Sequence, residues 1–108
     1  MLYKVTISPV ALADAADYVA YIRDQNLEPV AAARWYDGLT DAILSLDTTP
    51  RRCPVVPEQN SFKIELRHYI YHSHRIINHI DEEARVVHVL RVYHGARNVL
   101  RSDEVDLP

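Results

Sequence analysis

The chain has 108 residues, of which 48% are hydrophobic and 25% charged, with a net charge of −3. That is one domain's length, enough to bury a core unaided, and its composition excludes low-complexity disorder and the strongly basic balance of a nucleic-acid coat protein. The single cysteine, Cys53, excludes an internal disulfide or a cysteine metal framework and fits a reducing cytoplasm. Met1-Leu2-Tyr3-Lys4-Val5 carries no apolar signal core, and no run approaches the roughly 18 apolar residues of a membrane span. A cytoplasmic protein that does not engage a membrane is expected. Charge is uneven: residues 1–60 carry −3, residues 61–101 carry +3, and residues 102–108 carry −3. A basic segment inside an acidic chain points to a local anionic partner, or simply to solvated surface.

Leu2 to Ile7 alternates and is rich in β-formers, so it reads as a strand. Ser8-Pro9 then opens a helix: Ser8 caps the free N–H groups, and Pro9 at the first position loses nothing by lacking its own. Leu12, Ala15, Ala16, Val19 and Ile22 make a thin apolar stripe. Gln25 to Pro29 breaks the pattern. A second amphipathic helix follows, marked by Ala32, Trp35, Tyr36, Leu39, Ile43 and Leu46, and ends near Asp47. The short connection makes the two helices an antiparallel hairpin. Residues 48–60 hold three prolines without periodicity and are expected to be an exposed loop. From Ser61 the period becomes two, with Phe62, Ile64 and Leu66 alternating with Lys63, Glu65 and Arg67. His74 to Ile80 is the next strand, Asp81 to Ala84 a turn, and Val86 to Tyr93 a β-branched central strand. Short turns make these three an antiparallel meander. The expected fold is α+β, in the order β-α-α-β-β-β. A helical hairpin covers one face of a four-stranded, mostly antiparallel sheet whose other face stays partly open. Residues 1–108 form one domain, with an acidic tail over 102–108 expected to fray.

If the polar sets of the strands coincide, Lys63, Arg67, Tyr69, Arg75, Arg91 and Tyr93 line one surface, with His94 and Arg97 at its edge. A slip of one residue would send a strand's set to the other face. Guanidinium forks and aromatic rings together suit RNA, and equally an acidic or extended protein segment. The alternative is that the arginines pair with Glu65, Asp81, Glu82 and Glu83. His72 and His74 in an H-x-H spacing, with His68 nearby, lack the further ligands of a zinc site. His94 beside Arg97 is the better acid/base candidate, because an unperturbed imidazole titrates near neutrality. Positive neighbours could lower the pKa of Cys53, but no oriented base accompanies it. A glycine-rich phosphate loop, a dinucleotide fingerprint and a nucleophile elbow are all missing, so no cofactor or metal is expected.

The chain resembles the RelE/ParE superfamily of toxins from bacterial type II toxin–antitoxin systems. The resemblance is carried by the opening strand with its Ser8-Pro9 helix, by Asp17-Tyr18-Val19-Ala20-Tyr21-Ile22 and Ala33-Arg34-Trp35-Tyr36, and by Ile43-Leu44-Ser45-Leu46 with Pro50. Glu65-Leu66-Arg67-His68-Tyr69-Ile70, His74-Arg75-Ile76-Ile77 and Val89 to Arg97 complete it. It spans residues 2–98 and implies a growth-inhibiting toxin neutralised by a small antitoxin encoded beside it. RelE-like members cleave mRNA in the ribosomal A site; ParE-like members inhibit DNA gyrase. In the RelE-like reading, Arg75 and Arg97 fall at phosphate-binding positions and His94 or Tyr93 is the acid/base group. That branch's C-terminal catalytic tyrosine has no counterpart, since no tyrosine follows Tyr93, and its strong basicity is also missing. The ParE-like reading needs no catalytic set: Lys63, Arg67, Tyr69, Arg75, Arg91, Tyr93 and Arg97 would contact gyrase or the antitoxin. It is favoured over the ribosome-dependent nuclease and over a non-toxic protein-binding module.

Overall fold

The computed structural model describes residues 2–95 and 99–107. Strand β1 (Lys4–Ile7) leads into helix α1 (Pro9–Ala20) and helix α2 (Pro29–Leu44), followed by strands β2 (Arg67–Tyr71), β3 (His74–Asp81) and β4 (Val86–His94). The sheet order is β1-β4-β3-β2, with β1 parallel to β4 and the other pairs antiparallel. This is the α+β arrangement expected from the sequence. β4 is central, as its β-branched composition requires.

The Ser8 cap does more than end a helix. Its Oγ accepts from the Ala11 N–H at 3.0 Å and donates to the Leu90 carbonyl at 2.9 Å, tying α1 to β4. A π-helical turn, Tyr21–Gln25, closes α1 before the second Pro-initiated helix. Ala11 and Ala15 of α1 pack with Leu39, Ala42 and Ile43 of α2 over Ile76, Ile80, Val87, Val89 and Val92 of the sheet. The alanine stripe brings α1 close to the strands.

The second sheet face is not open. Val56, Leu66, Leu100 and Val105 are buried against Ile77, Leu90 and Tyr93, with Phe62 and Ile64 packed around them. The expectation of an exposed loop is corrected: residues 48–60 bury Pro50, Cys53 and Val56, and the C-terminal segment buries Leu100 and Val105. Both segments cover apolar strand residues that would otherwise face water, and burial of that area is the driving force. Residues 62–66 are therefore irregular, and β2 begins only at Arg67.

A bulge adds one residue to β4: Ile77 pairs with Arg91 and Asn78 with Val89, leaving Leu90 between them. The bulge sends Val87, Val89 and Val92 to the helix face, and Leu90 and Tyr93 to the other.

Candidate functional site

The residues singled out in the sequence do not share one surface. β2 pairs Arg67 with Asn78 and Tyr69 with Ile76, so Tyr69 packs on the helix side. Arg75 lies opposite Tyr93, which points to the other face. The cause is the register of β2 together with the bulge in β4. Each shifts the alternation by one residue, enough to separate side chains that an unbroken alternation would align.

Arg75 is 7% exposed. Its Nη1 and Nη2 donate to Glu58 at 2.8 and 2.7 Å, and its Nε donates to His68 Nδ1 at 2.9 Å. Glu58 also accepts the Leu100 N–H at 2.8 Å. The guanidinium and these N–H donors hold the Glu58 carboxyl down to about 2 despite its burial. Burial, then the charge of Arg75, lowers the His68 pKa, in keeping with its Nδ1 accepting from the Arg75 Nε. Gly95 makes room for this network: a Cβ there would come within 2.8 Å of Arg75 Cγ.

Arg91 belongs to a second network. Its Nε and Nη2 donate to Asp14 of α1 at 2.7 and 2.9 Å, and its Nη1 donates to the Glu104 carbonyl at 2.7 Å. The Asp14 carboxylate also accepts the Val92 N–H at 3.0 Å. Hydrogen bonding to Asp14 raises the Arg91 pKa. The Tyr93 hydroxyl donates to Glu104 at 2.8 Å, and burial with that bond raises its pKa. Arg67 donates to the carbonyls of Cys53 (2.6 Å) and Arg51 (3.2 Å), pinning the proline loop. Of the acidic partners considered from sequence, Glu65 pairs with Arg67 and Glu82 with Arg51. Burial raises the Cys53 pKa more than its cationic neighbours lower it, contrary to the activation considered above.

His74 and His94 face each other across β3 and β4, stacked with ring centroids 4.9 Å apart. Tyr18 and Trp35 close on His74 at 4.3 and 5.2 Å. Burial, then His94, depresses the His74 pKa to about 4. His94 borders a cleft of about 300 Å³ shared with Asp14, Asp17, Tyr18, Tyr21 and Arg91. A larger groove, about 650 Å³, lies between the start of α2 and the β2–β3 turn, lined by Pro29, Val30, Arg34, Trp35, Tyr71 and His72. Lys63 is exposed. Arg97 lies outside the described residues. Among the described residues no cluster of three or more His, Cys, Asp or Glu side chains could hold a metal ion, and no helix is long and apolar enough to cross a membrane.

Sequence reasoning missed Glu58, Asp14 and Glu104, the carboxylates that hold Arg75, Arg91 and Tyr93. Glu58 lies in an aperiodic loop and Asp14 off the apolar stripe of α1, where nothing local signals a partner.

Comparison with known proteins agrees with this architecture. A solved structure, the toxin–antitoxin complex RelBE2 from Mycobacterium tuberculosis, contains a protein of similar fold. Its TM-score is 0.57 at 22% identity, over 87% of this chain and 99% of that one. No curated protein matches in sequence. The family model described as the ParE toxin of the type II toxin–antitoxin system parDE matches residues 5–99. With that match over nearly the whole chain, the protein belongs to the ParE toxin family of type II toxin–antitoxin systems.

Proposed function

We propose that this toxin arrests growth by ParE-like interference with DNA gyrase and that a small antitoxin encoded beside it neutralises it. The carrying observation is the state of Arg75. A ribosome-dependent nuclease needs cations free to hold a phosphate as charge builds. Here every nitrogen of the Arg75 guanidinium donates to Glu58 or His68, and every nitrogen of Arg91 to Asp14 or Glu104. Such groups hold the fold together and leave target recognition to exposed side chains, among them Lys63, and to the surroundings of His94 and Arg97.

The test adds the purified protein to gyrase with relaxed plasmid and ATP. Loss of supercoiling, or accumulation of linear DNA, reversed by the antitoxin, is the expected result. Normal supercoiling together with cuts inside coding regions in a translation reaction would overturn this reading in favour of the nuclease. If neither occurs and expression without antitoxin is harmless, the protein is a binding module.

A further inference from the structure

Among the described arginines, Arg34 alone has neither an ion pair nor a side-chain hydrogen bond. Arg23, Arg51, Arg67, Arg75, Arg85, Arg91 and Arg101 each meet a carboxylate, and Arg52 donates to the Thr48 carbonyl and the Ser45 hydroxyl. Glu28, at the start of the same helix, is likewise exposed and enters no ion pair among the described residues. Both side chains line the groove of about 650 Å³ between the start of α2 and the β2–β3 turn. The helix rise from Glu28 to Arg34 is roughly 9 Å. Opposite charges therefore border one groove without meeting each other.

The wall between them is aromatic and fixed in place. Trp35 packs on Tyr18 and His74 at 4.7 and 5.2 Å, and its carbonyl accepts the Tyr71 hydroxyl at 2.9 Å. The His72 ring meets the Tyr71 ring at 4.5 Å. The two turns beside the groove each hold a non-glycine residue with left-handed backbone, Leu27 at φ 55° and His72 at φ 52°, a strain that gathers at ligand clamps. Trp35 and Tyr71 pack with the helix-side core, so the groove is separate from the Arg75–Glu58 network on the opposite sheet face. A cavity in the range of roughly 300–1,000 Å³, walled by rings and carrying a few placed charges, has the form of a small-molecule site.

We infer that this groove binds a guanine mononucleotide, with the base on the rings of Trp35, Tyr71 and His72 and the phosphate at Arg34. Aromatic faces stack on a base, and a guanidinium fork matches phosphate oxygens. Glu28 repels the phosphate, which leaves the carboxylate at the edge of the base. An ionised carboxylate can only accept hydrogen bonds. Guanine offers it two adjacent donors, a ring N–H and an amino group, whereas adenine offers the amino group alone. The separation of Glu28 and Arg34 suits the reach from that edge to a 5′-phosphate. This inference goes beyond the gyrase reading and does not depend on it.

Trp35 is the only tryptophan of the chain, so its indole N–H is a single reporter inside the groove. In isotope-labelled protein, guanosine 5′-monophosphate is expected to shift that signal together with the Val30 and His72 amides. Guanosine, which lacks the phosphate, and adenosine 5′-monophosphate are each expected to bind at least roughly tenfold more weakly. Arg34→Gln should bring the guanine nucleotide down to the level of guanosine, and Glu28→Gln should remove its advantage over the adenine nucleotide. Both positions are exposed, so the two variants are expected to melt as the parent does, and a thermal scan checks this. Absence of groove shifts at millimolar guanine nucleotide overturns the inference. So does an Arg34→Gln variant that binds it as the parent does, or a Glu28→Gln variant with unchanged preference. A single-stranded RNA that occupies the groove at least roughly tenfold more tightly than the mononucleotide would assign it to a polymer and overturn it as well. Each of these failures leaves the gyrase reading untouched.

Discussion

Glu58 and Arg75 form a two-pronged ion pair at 2.7 and 2.8 Å, with side chains 10% and 8% exposed, across the sheet face that the loop and the C-terminal segment cover. One carboxylate thereby joins three separate parts of the chain, since Glu58 also binds the Leu100 N–H.

Removing that carboxylate strands a buried guanidinium and a backbone donor. Glu58→Ala is expected to cost about 3–5 kcal/mol, the usual penalty for breaking a buried pair, read as a lower urea midpoint. The pair also sets an acid limit. The folded pKa of Glu58 is depressed to about 2 from 4.5, so its stabilisation is complete above pH 4.5 and is lost as pH falls towards 2. A Glu58→Ala protein as stable as the parent would show that the pair contributes nothing in solution.

His74 acts at milder pH. It is 3% exposed, and its pKa falls from 6.5 to about 4. The unfolded protein therefore takes up a proton where the folded protein does not, and stability drops as pH goes from 6.5 to 4. The melting temperature is expected to decline over that window. His74→Phe, which keeps an aromatic ring against Tyr18 and Trp35, should flatten the decline. An equally steep slope in the variant would assign the effect to another group.

Gly38 reverses a usual rule. Glycine to alanine inside a helix ordinarily stabilises by about 1 kcal/mol. A Cβ at Gly38, however, would overlap the Tyr71 hydroxyl and sit 3.1 Å from its Cζ. That hydroxyl donates to the Trp35 carbonyl at 2.9 Å. Gly38→Ala is expected to destabilise by about 1–3 kcal/mol through overpacking, and Tyr71→Phe in the same protein should recover part of the loss. Thermal melts of the two single variants and the double variant decide it.

The C-terminal segment is a structural part of the domain. Leu100 is 1% exposed beside Ile77, Leu90 and Tyr93. Leu100→Ala is expected to cost about 2–5 kcal/mol, measured by chemical denaturation. A change below about 0.5 kcal/mol, the range of surface positions, would mean that the segment stands off the sheet.

The helical hairpin was legible because its signals are local. Ser8-Pro9 and Pro29 mark helix starts wherever the helices later pack, and the alanine and aromatic stripes repeat at helical spacing. β3 and β4 were legible from β-branched alternation. The candidate site was less so. A single extra residue at Leu90 reversed the parity on which the expected surface depended, and nothing in Val86 to His94 marks the bulge.

By itself, then, the sequence determined the element order, the two helix starts, the central place of β4 and the family resemblance, all properties of short segments or of their succession. Only the tertiary structure decided what the arginines do. Arg75 meets Glu58 from 17 residues away and Arg91 meets Asp14 from 77. A guanidinium that is bare in the sequence is claimed by whichever carboxylate the fold brings within hydrogen-bond reach, because a buried charge left unpaired costs far more than either side group's local preferences.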